Sequence, residues 1–465
     1  MLTGAIFAQV SGQAGKGLMK ITSHLLKSTA VGALGGLLFG FDTVVISGTT
    51  AQLTSLFHLS PATLGLTVSI ALWGTVVGCL IAGVMGQKIG GRNALRVMAA
   101  MYILSAAGCA FAWNWPSLMV FRFIGGLGIG GSSVLGPVYI AELAPATWRG
   151  RLVGVFQINI VVGILIAYFS NYVISAMGLG ATEWRWELGI AGVPAALFLA
   201  LLYSIPQSSR WLIAQGRSDS ALDVLRKMGS EDPELEMREI TASLHQERGR
   251  EKEPLFQRSL KLPIFLAVSI GLFNQLAGVN AILYYSSDIF RAAGFSRISG
   301  NLQSVLIGVM NLLATFVGMA LIDKLGRKTL LLIGSVGTGL CLAGVAAVFY
   351  THSHQNMLVW LLVVYIGFFA ASQGAVIWVY IAEVFPTKVR SKGQSLGSGA
   401  HWVMNAIIAA AFPIVAKRSG GAPFLFFAVM MIVQFVVVLF VYPETMRATL
   451  EQLQARLESP QRVVD

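Results

Sequence analysis

The chain has 465 residues, 55% of them hydrophobic and 12% charged, where a soluble domain carries roughly 25% charged residues. That balance excludes a water-soluble globular protein and points to a chain whose exterior is covered by the lipid bilayer. The net charge of +12 would suit nucleic acid or an acidic partner, but it is concentrated in alternate connections between apolar runs, so it reads as membrane topology and no nucleic-acid partner is expected.

Apolar runs near the ~20 residues needed to cross hydrocarbon fall at 29–50, 63–86, 94–113, 117–141, 151–173 and 186–206. They resume at 263–286, 302–322, 329–350, 357–382, 393–416 and 422–442. Residues 1–28 form a weakly amphipathic segment without the marks of a cleaved signal peptide, so the first span is expected to serve as an uncleaved anchor. Lys88, Arg92, Arg96, Arg149, Arg151, Lys324, Arg327, Lys328, Lys388, Arg390 and Lys392 lie in alternate connections. The others hold only Arg185, Arg291, Arg297, Lys417 and Arg418. This bias places both termini and the long connection 207–262 in the cytoplasm of a multi-pass inner-membrane protein. Within that connection acids and bases alternate around Leu222, Leu225 and Met228 at helical spacing. Short amphipathic helices or a solvated linker both fit that pattern. The residues after 442 form a tail. Cys79, Cys109 and Cys341 sit in apolar runs and read as small buried hydrophobes, and no metal site is expected.

The two halves repeat. Val138-Tyr139-Ile140-Ala141-Glu142 returns unchanged as Val379-Tyr380-Ile381-Ala382-Glu383, and Pro145 and Arg149 match Pro386 and Arg390 at the same offset. Such repetition predicts an all-α membrane protein of twelve helices in two pseudo-symmetric bundles, 29–206 and 263–442. A substrate site is then expected at their interface, reached by rocking of one bundle against the other.

Asp42 falls inside the first span, where an ionised carboxylate costs at least ~2.5 kcal/mol and must pair, face a cavity or take up a proton. Arg122, inside the fourth span, is its candidate partner. At 1.5 Å per residue the two lie at similar heights, roughly 18 Å up from the inner end and roughly 9 Å in from the outer end. A guanidinium favours the carboxylate and desolvation disfavours it, so a change of shape that alters either can load or release a proton. A static ion pair locking two helices is the other reading of the same residues. The units Glu142/Pro145/Arg149 and Glu383/Pro386/Arg390, with Asp323 and Arg327, lie at cytoplasmic helix ends. There acids and bases suit a weak latch, or topology signalling with helix capping. Gln157, Asn274, Gln275, Asn280, Asn311, Trp378, His401 and Trp402 are polar or amphipathic groups inside spans. Amides that donate and accept match the hydroxyls of a polyol, and an indole face covers the apolar side of a sugar ring. Interhelical hydrogen bonding is the alternative for any one of them.

These motifs resemble the sugar porter branch of the major facilitator superfamily from about Ala33 to Leu453. The resemblance is carried by Gly36-Leu37-Leu38-Phe39-Gly40-Phe41-Asp42-Thr43, Arg122-Phe123-Ile124-Gly125-Gly126, Tyr139 to Pro145, Pro206 to Leu212, Asn274 to Asn280, Tyr284-Tyr285, Asp323 to Lys328 and Pro443-Glu444-Thr445. It implies the major facilitator fold, with Asp42 in the position of the proton-coupling Asp of the symporters and Arg122 as its partner. It further implies sugar contacts at Gln157, Gln275, Asn280, Asn311 and Trp378 and places Tyr284 in the outer gating region of span seven, so Tyr284 and Tyr285 are expected to gate. The expected protein is a proton:monosaccharide symporter for a hexose such as glucose or fructose. It is expected to be monomeric, to use the proton as coupling ion without a cofactor, and not to be an enzyme. A pentose or myo-inositol symporter, an uncoupled facilitator and a transporter-like sensor are the alternatives. The sequence departs from the family pattern at Gln87, Gly91, Gln207, Ser209, Asn274, Ala375 and His401.

Overall fold

The computed structural model describes residues 22–145, 147–249, 254–386 and 388–446. Most of the expected N-terminal segment and tail lies outside the described residues. Twelve helical spans long and apolar enough to cross a membrane are present among those described. In the first half they are Ser23–Leu56, Pro61–Ile89, Gly91–Ala110, Trp115–Leu143, Arg149–Ala176 and Gly180–Leu201. In the second half they are Arg258–Tyr284, Arg297–Leu325, Arg327–Thr351, Met357–Glu383, Arg390–Arg418 and Ala422–Val441. They are numbered one to twelve below. Their limits follow local chemistry. Ser60 caps span two by accepting the Thr63 N–H, with Pro61 as its first residue, and Asn114 and Ser117 form a capping box on span four.

Several spans differ from the uniform runs expected, span six among them, which is interrupted between Gly189 and Gly192. Span one extends past 29–50 at both ends, and Thr22 caps its start by accepting the Leu25 N–H. Span seven breaks at Gly278, whose φ of 82° places it in the left-handed region, and continues as Ser286–Ala292. Span ten breaks at Ser372. Apolar composition sets where a chain enters lipid, not whether its helix stays straight. The freed backbone groups are tolerated because they are buried in protein.

Within the first bundle spans one and five cross closely because a Cβ on Gly40 would fall on the carbonyl oxygen of Ile160, and one on Gly163 on that of Leu37. The long connection folds as helices Ser209–Ala214, Ser218–Met228 and Pro233–Gly249. The second of these buries Ala221, Val224, Leu225 and Met228, with Leu222 at the edge of the stripe. The end of the molecule carrying these helices is called the linker side.

The hydrophobic cores are distributed unequally. One core joins both bundles, packing Tyr168 and Trp184 of the first with Tyr284, Phe290 and Trp402 of the second. It lies toward the far side. On the linker side each bundle keeps a separate core, Leu25 to Met228 in one and Leu260 to Tyr442 in the other. The bundles therefore share their apolar packing at the far side and keep separate cores at the linker side.

Candidate binding cleft and buried ion pair

Asp42 and Arg122 meet inside the first bundle. Arg122 Nη1 lies 3.8 Å from Asp42 Oδ1, beyond hydrogen-bond length. The residues are 8% and 3% exposed, and among the described residues neither Asp42 Oδ2 nor Arg122 Nε has a hydrogen-bond partner. Gly125 makes the approach possible, since a Cβ there would meet Ser105 Oγ at 2.5 Å and Asp42 Oδ2 at 3.4 Å. Two charges in contact yet not locked by hydrogen bonds form a pair that a small helix movement alters strongly.

The polar groups of the second bundle gather around Gln275, at the end of the helix that Gly278 breaks. Asn280 Nδ2 donates to Gln275 Oε1 at 2.9 Å, and Gln275 Nε2 donates to Asn274 Oδ1 at 3.1 Å. The same nitrogen is 3.2 Å from each ring nitrogen of His401. The imidazole sits between two indoles, 5.1 Å from the Trp378 ring and 5.2 Å from that of Trp402. Trp402 reaches the first bundle at Phe39, with ring centroids 5.5 Å apart. Asn311 is buried and Gln157 half-buried, while Trp378 is 38% exposed. This cluster therefore presents uncharged donors and acceptors beside aromatic faces, the chemistry of a neutral polyhydroxylated ligand.

Tyr284 and Tyr285 are buried in the core that the two bundles share toward the far side. The Tyr284 hydroxyl accepts from Asn405 Nδ2 at 3.0 Å. Tyr285 hydroxyl donates to the Ala409 carbonyl at 2.8 Å, and its ring stacks on Phe412. Tyr168 of the first bundle donates to the Leu283 carbonyl at 2.8 Å, tying the two bundles together there.

The latch residues take the following partners among the described residues. Arg149 Nε donates to the Ala141 carbonyl at 3.2 Å, and Glu142 instead faces Ser208 and Arg210 where the connection begins. In the second bundle Arg327 grips Glu383 with two bonds, of 2.9 and 3.1 Å, and reaches Asp323 at 3.2 Å. Arg390 Nε donates to the Phe385 carbonyl at 3.4 Å. The Asp323, Arg327 and Glu383 pairs all lie within one bundle.

Sequence reasoning passed over two further groups. Gln207 and Glu444 occupy equivalent positions as helix clamps. Gln207 Oε1 accepts the Arg92 N–H at 3.0 Å, whereas Glu444 accepts the N–H groups of Arg327, Lys328, Thr445 and Met446. The matching Pro206-Gln207 and Pro443-Glu444 steps after each sixth span carried that signal. The other group, Glu183, Glu187 and Arg297, spans the two bundles on the far side. Its acids at i and i+4 before an apolar run were the available sign.

Two bundles of membrane-spanning helices that share a core at one end, with a cluster of neutral polar groups beside their seam, fit a solute carrier rather than an enzyme. A family described as "Sugar (and other) transporter" matches residues 28–457. The D-xylose-proton symporter of Escherichia coli is 34% identical over 475 residues, covering 94% of this chain and 96% of the relative. The arabinose-proton symporter of Bacillus subtilis is 34% identical over 437 residues, 92% and 94% of the two chains. The glucose transport protein of Synechocystis is 34% identical over 452 residues, 92% and 97% of the two chains. The inward-open structure of the E. coli xylose transporter superposes with a TM-score of 0.83 at 32% identity, over 93% of this chain and 99% of that one. The structure of that symporter bound to 6-bromo-6-deoxy-D-glucose gives 0.75 at 33% identity, over 94% and 99%. The chain belongs to the sugar transporter family, with the major facilitator fold.

Proposed function

We propose that this protein imports a monosaccharide together with protons by alternating access, with the linker side in the cytoplasm of a bacterial inner membrane. The observation that carries the reading is the buried, loosely held Asp42–Arg122 pair at 3.8 Å. A carboxylate in that setting can exchange its charge for a proton as the bundles rock. Sugar and proton enter from the far side, protonation of Asp42 releases Arg122, and the cleft then opens past Trp378 to the linker side.

The substrate proposed is an aldose ring, bound through Gln157, Gln275, Asn280 and Asn311, with Trp378 and Trp402 against its apolar side. The sequence-based expectation of a hexose stands beside pentoses, because the relatives include symporters named for xylose and arabinose as well as a glucose transport protein. Uptake of labelled xylose, arabinose, glucose and fructose, each with and without a protonophore, tests both parts. Accumulation that the protonophore abolishes, with sugar-induced alkalinisation outside the cells, supports symport. Equilibration unaffected by protonophore identifies an uncoupled facilitator.

A further inference from the structure

Both carboxyl groups of Glu183 and Glu187 belong to span six, on the first bundle, and Arg297 opens span eight, on the second. Arg297 Nη2 lies 2.8 Å from Glu183 Oε1 and 3.9 Å from Glu187 Oε1, and also donates to the Gly48 carbonyl at 3.4 Å. Glu187 is fully buried, and among the described residues neither of its oxygens has a hydrogen-bond donor. It reaches span one at Gly48, where a Cβ would stand 2.8 Å from Glu187 Oε1.

The acid side of this cluster is held rigidly. Gln52 of span one accepts the Trp184 N–H at 2.8 Å and donates to the Gly180 carbonyl at 3.0 Å. The cation side sits at the first residue of the helix Arg297–Leu325. A cation at a helix N-terminus opposes the helix dipole, so Arg297 gains nothing from its own helix there. Its favourable partners lie across the seam.

We propose that Glu183, Glu187 and Arg297 form a far-side latch, closed while the cleft opens to the linker side and broken when it opens outward. The proposal rests on alternating access as read above and adds the residues that hold the outer side shut. When the seam parts, Glu187 remains in the first bundle and loses this cation. Separation is unfavourable until water enters to solvate the carboxylates, so breaking the latch and wetting the outer vestibule become one event.

The test uses full-length protein with Cys79, Cys109 and Cys341 replaced by alanine and a reporter Thr50→Cys. Thr50 is 1% exposed, at the far end of span one. In right-side-out vesicles without sugar or proton gradient, a membrane-impermeant maleimide labels this cysteine when the outer side opens. Arg297→Gln is expected to raise the labelling rate about fivefold or more, and Arg297→Glu combined with Glu183→Arg to return it toward the parent. Parent-rate labelling in folded Arg297→Gln protein overturns the latch. A second measurement covers poor folding of these variants. Oxidising a Glu183→Cys/Arg297→Cys pair in the cysteine-free background, without the Thr50→Cys reporter, should stop sugar exchange, and dithiothreitol should restore it. Exchange undiminished by a formed cross-link is the other overturning result. Exchange down a sugar gradient needs no proton coupling, so failure of the latch and failure of symport are told apart.

Discussion

Asp42→Asn removes the carboxylate that faces Arg122 while keeping the side chain's size. At the observed 3.8 Å, two unit charges in an effective dielectric of about 20 attract by about 4 kcal/mol. The substitution leaves the Arg122 guanidinium buried without that counter-charge, and breaking a buried pair costs about 3–5 kcal/mol. Two consequences separate. In detergent, thermal unfolding of Asp42→Asn falls below wild type, and adding Arg122→Gln restores part of the loss. In vesicles, one proton crossing 100 mV contributes about 2.3 kcal/mol, which sustains an accumulation of about 50-fold. Asp42→Asn should reduce that ratio to about one, because no group remains to carry the proton, while exchange of labelled against unlabelled sugar continues. The assay is uptake under an imposed gradient beside counterflow in its absence. Protonophore-sensitive accumulation by Asp42→Asn would refute the reasoning, since the driving force would then enter elsewhere.

Gly40→Leu forces a side chain onto the Ile160 carbonyl where spans one and five cross, so stability should fall by at least about 1–3 kcal/mol, read as a lower melting temperature. Gln275→Ala removes the hub that Asn274, Asn280 and His401 share. Loss of a neutral hydrogen bond costs about 0.5–1.5 kcal/mol, so KM for sugar should rise about three- to tenfold with little change in kcat. Glu444→Ala strips one acceptor from four backbone N–H groups and should cost about 1–2 kcal/mol. Gln207→Glu, which places charge at the equivalent helix start in the first bundle, should stabilise by about 0.3–1 kcal/mol. A higher melting temperature for Glu444→Ala, or a lower one for Gln207→Glu, would remove the clamp reading.

The spans were legible because crossing a bilayer is a local property. A run of about 20 apolar residues carries its own transfer free energy, and each predicted run corresponds to an observed span. The duplication of Val138 to Glu142 at Val379 to Glu383 made the two-bundle plan legible as well. Asp42 and Arg122 were each conspicuous as a charge in an apolar run, and the structure brings them within 3.8 Å. What the chain alone did not decide are choices among partners. Glu142 had Arg149 at a plausible offset but faces Ser208 and Arg210, because the connection folds back under the first bundle. Arg297 looked like one more outer-side base, yet it bridges the seam to Glu183. The breaks at Gly278 and Ser372, and the division of the core into one shared and two separate clusters, depend on which helices face one another. Hydropathy is summed residue by residue along the chain. Ion pairing, helix breaks and the side on which a cleft opens are set by surfaces that meet only after the bundles have packed.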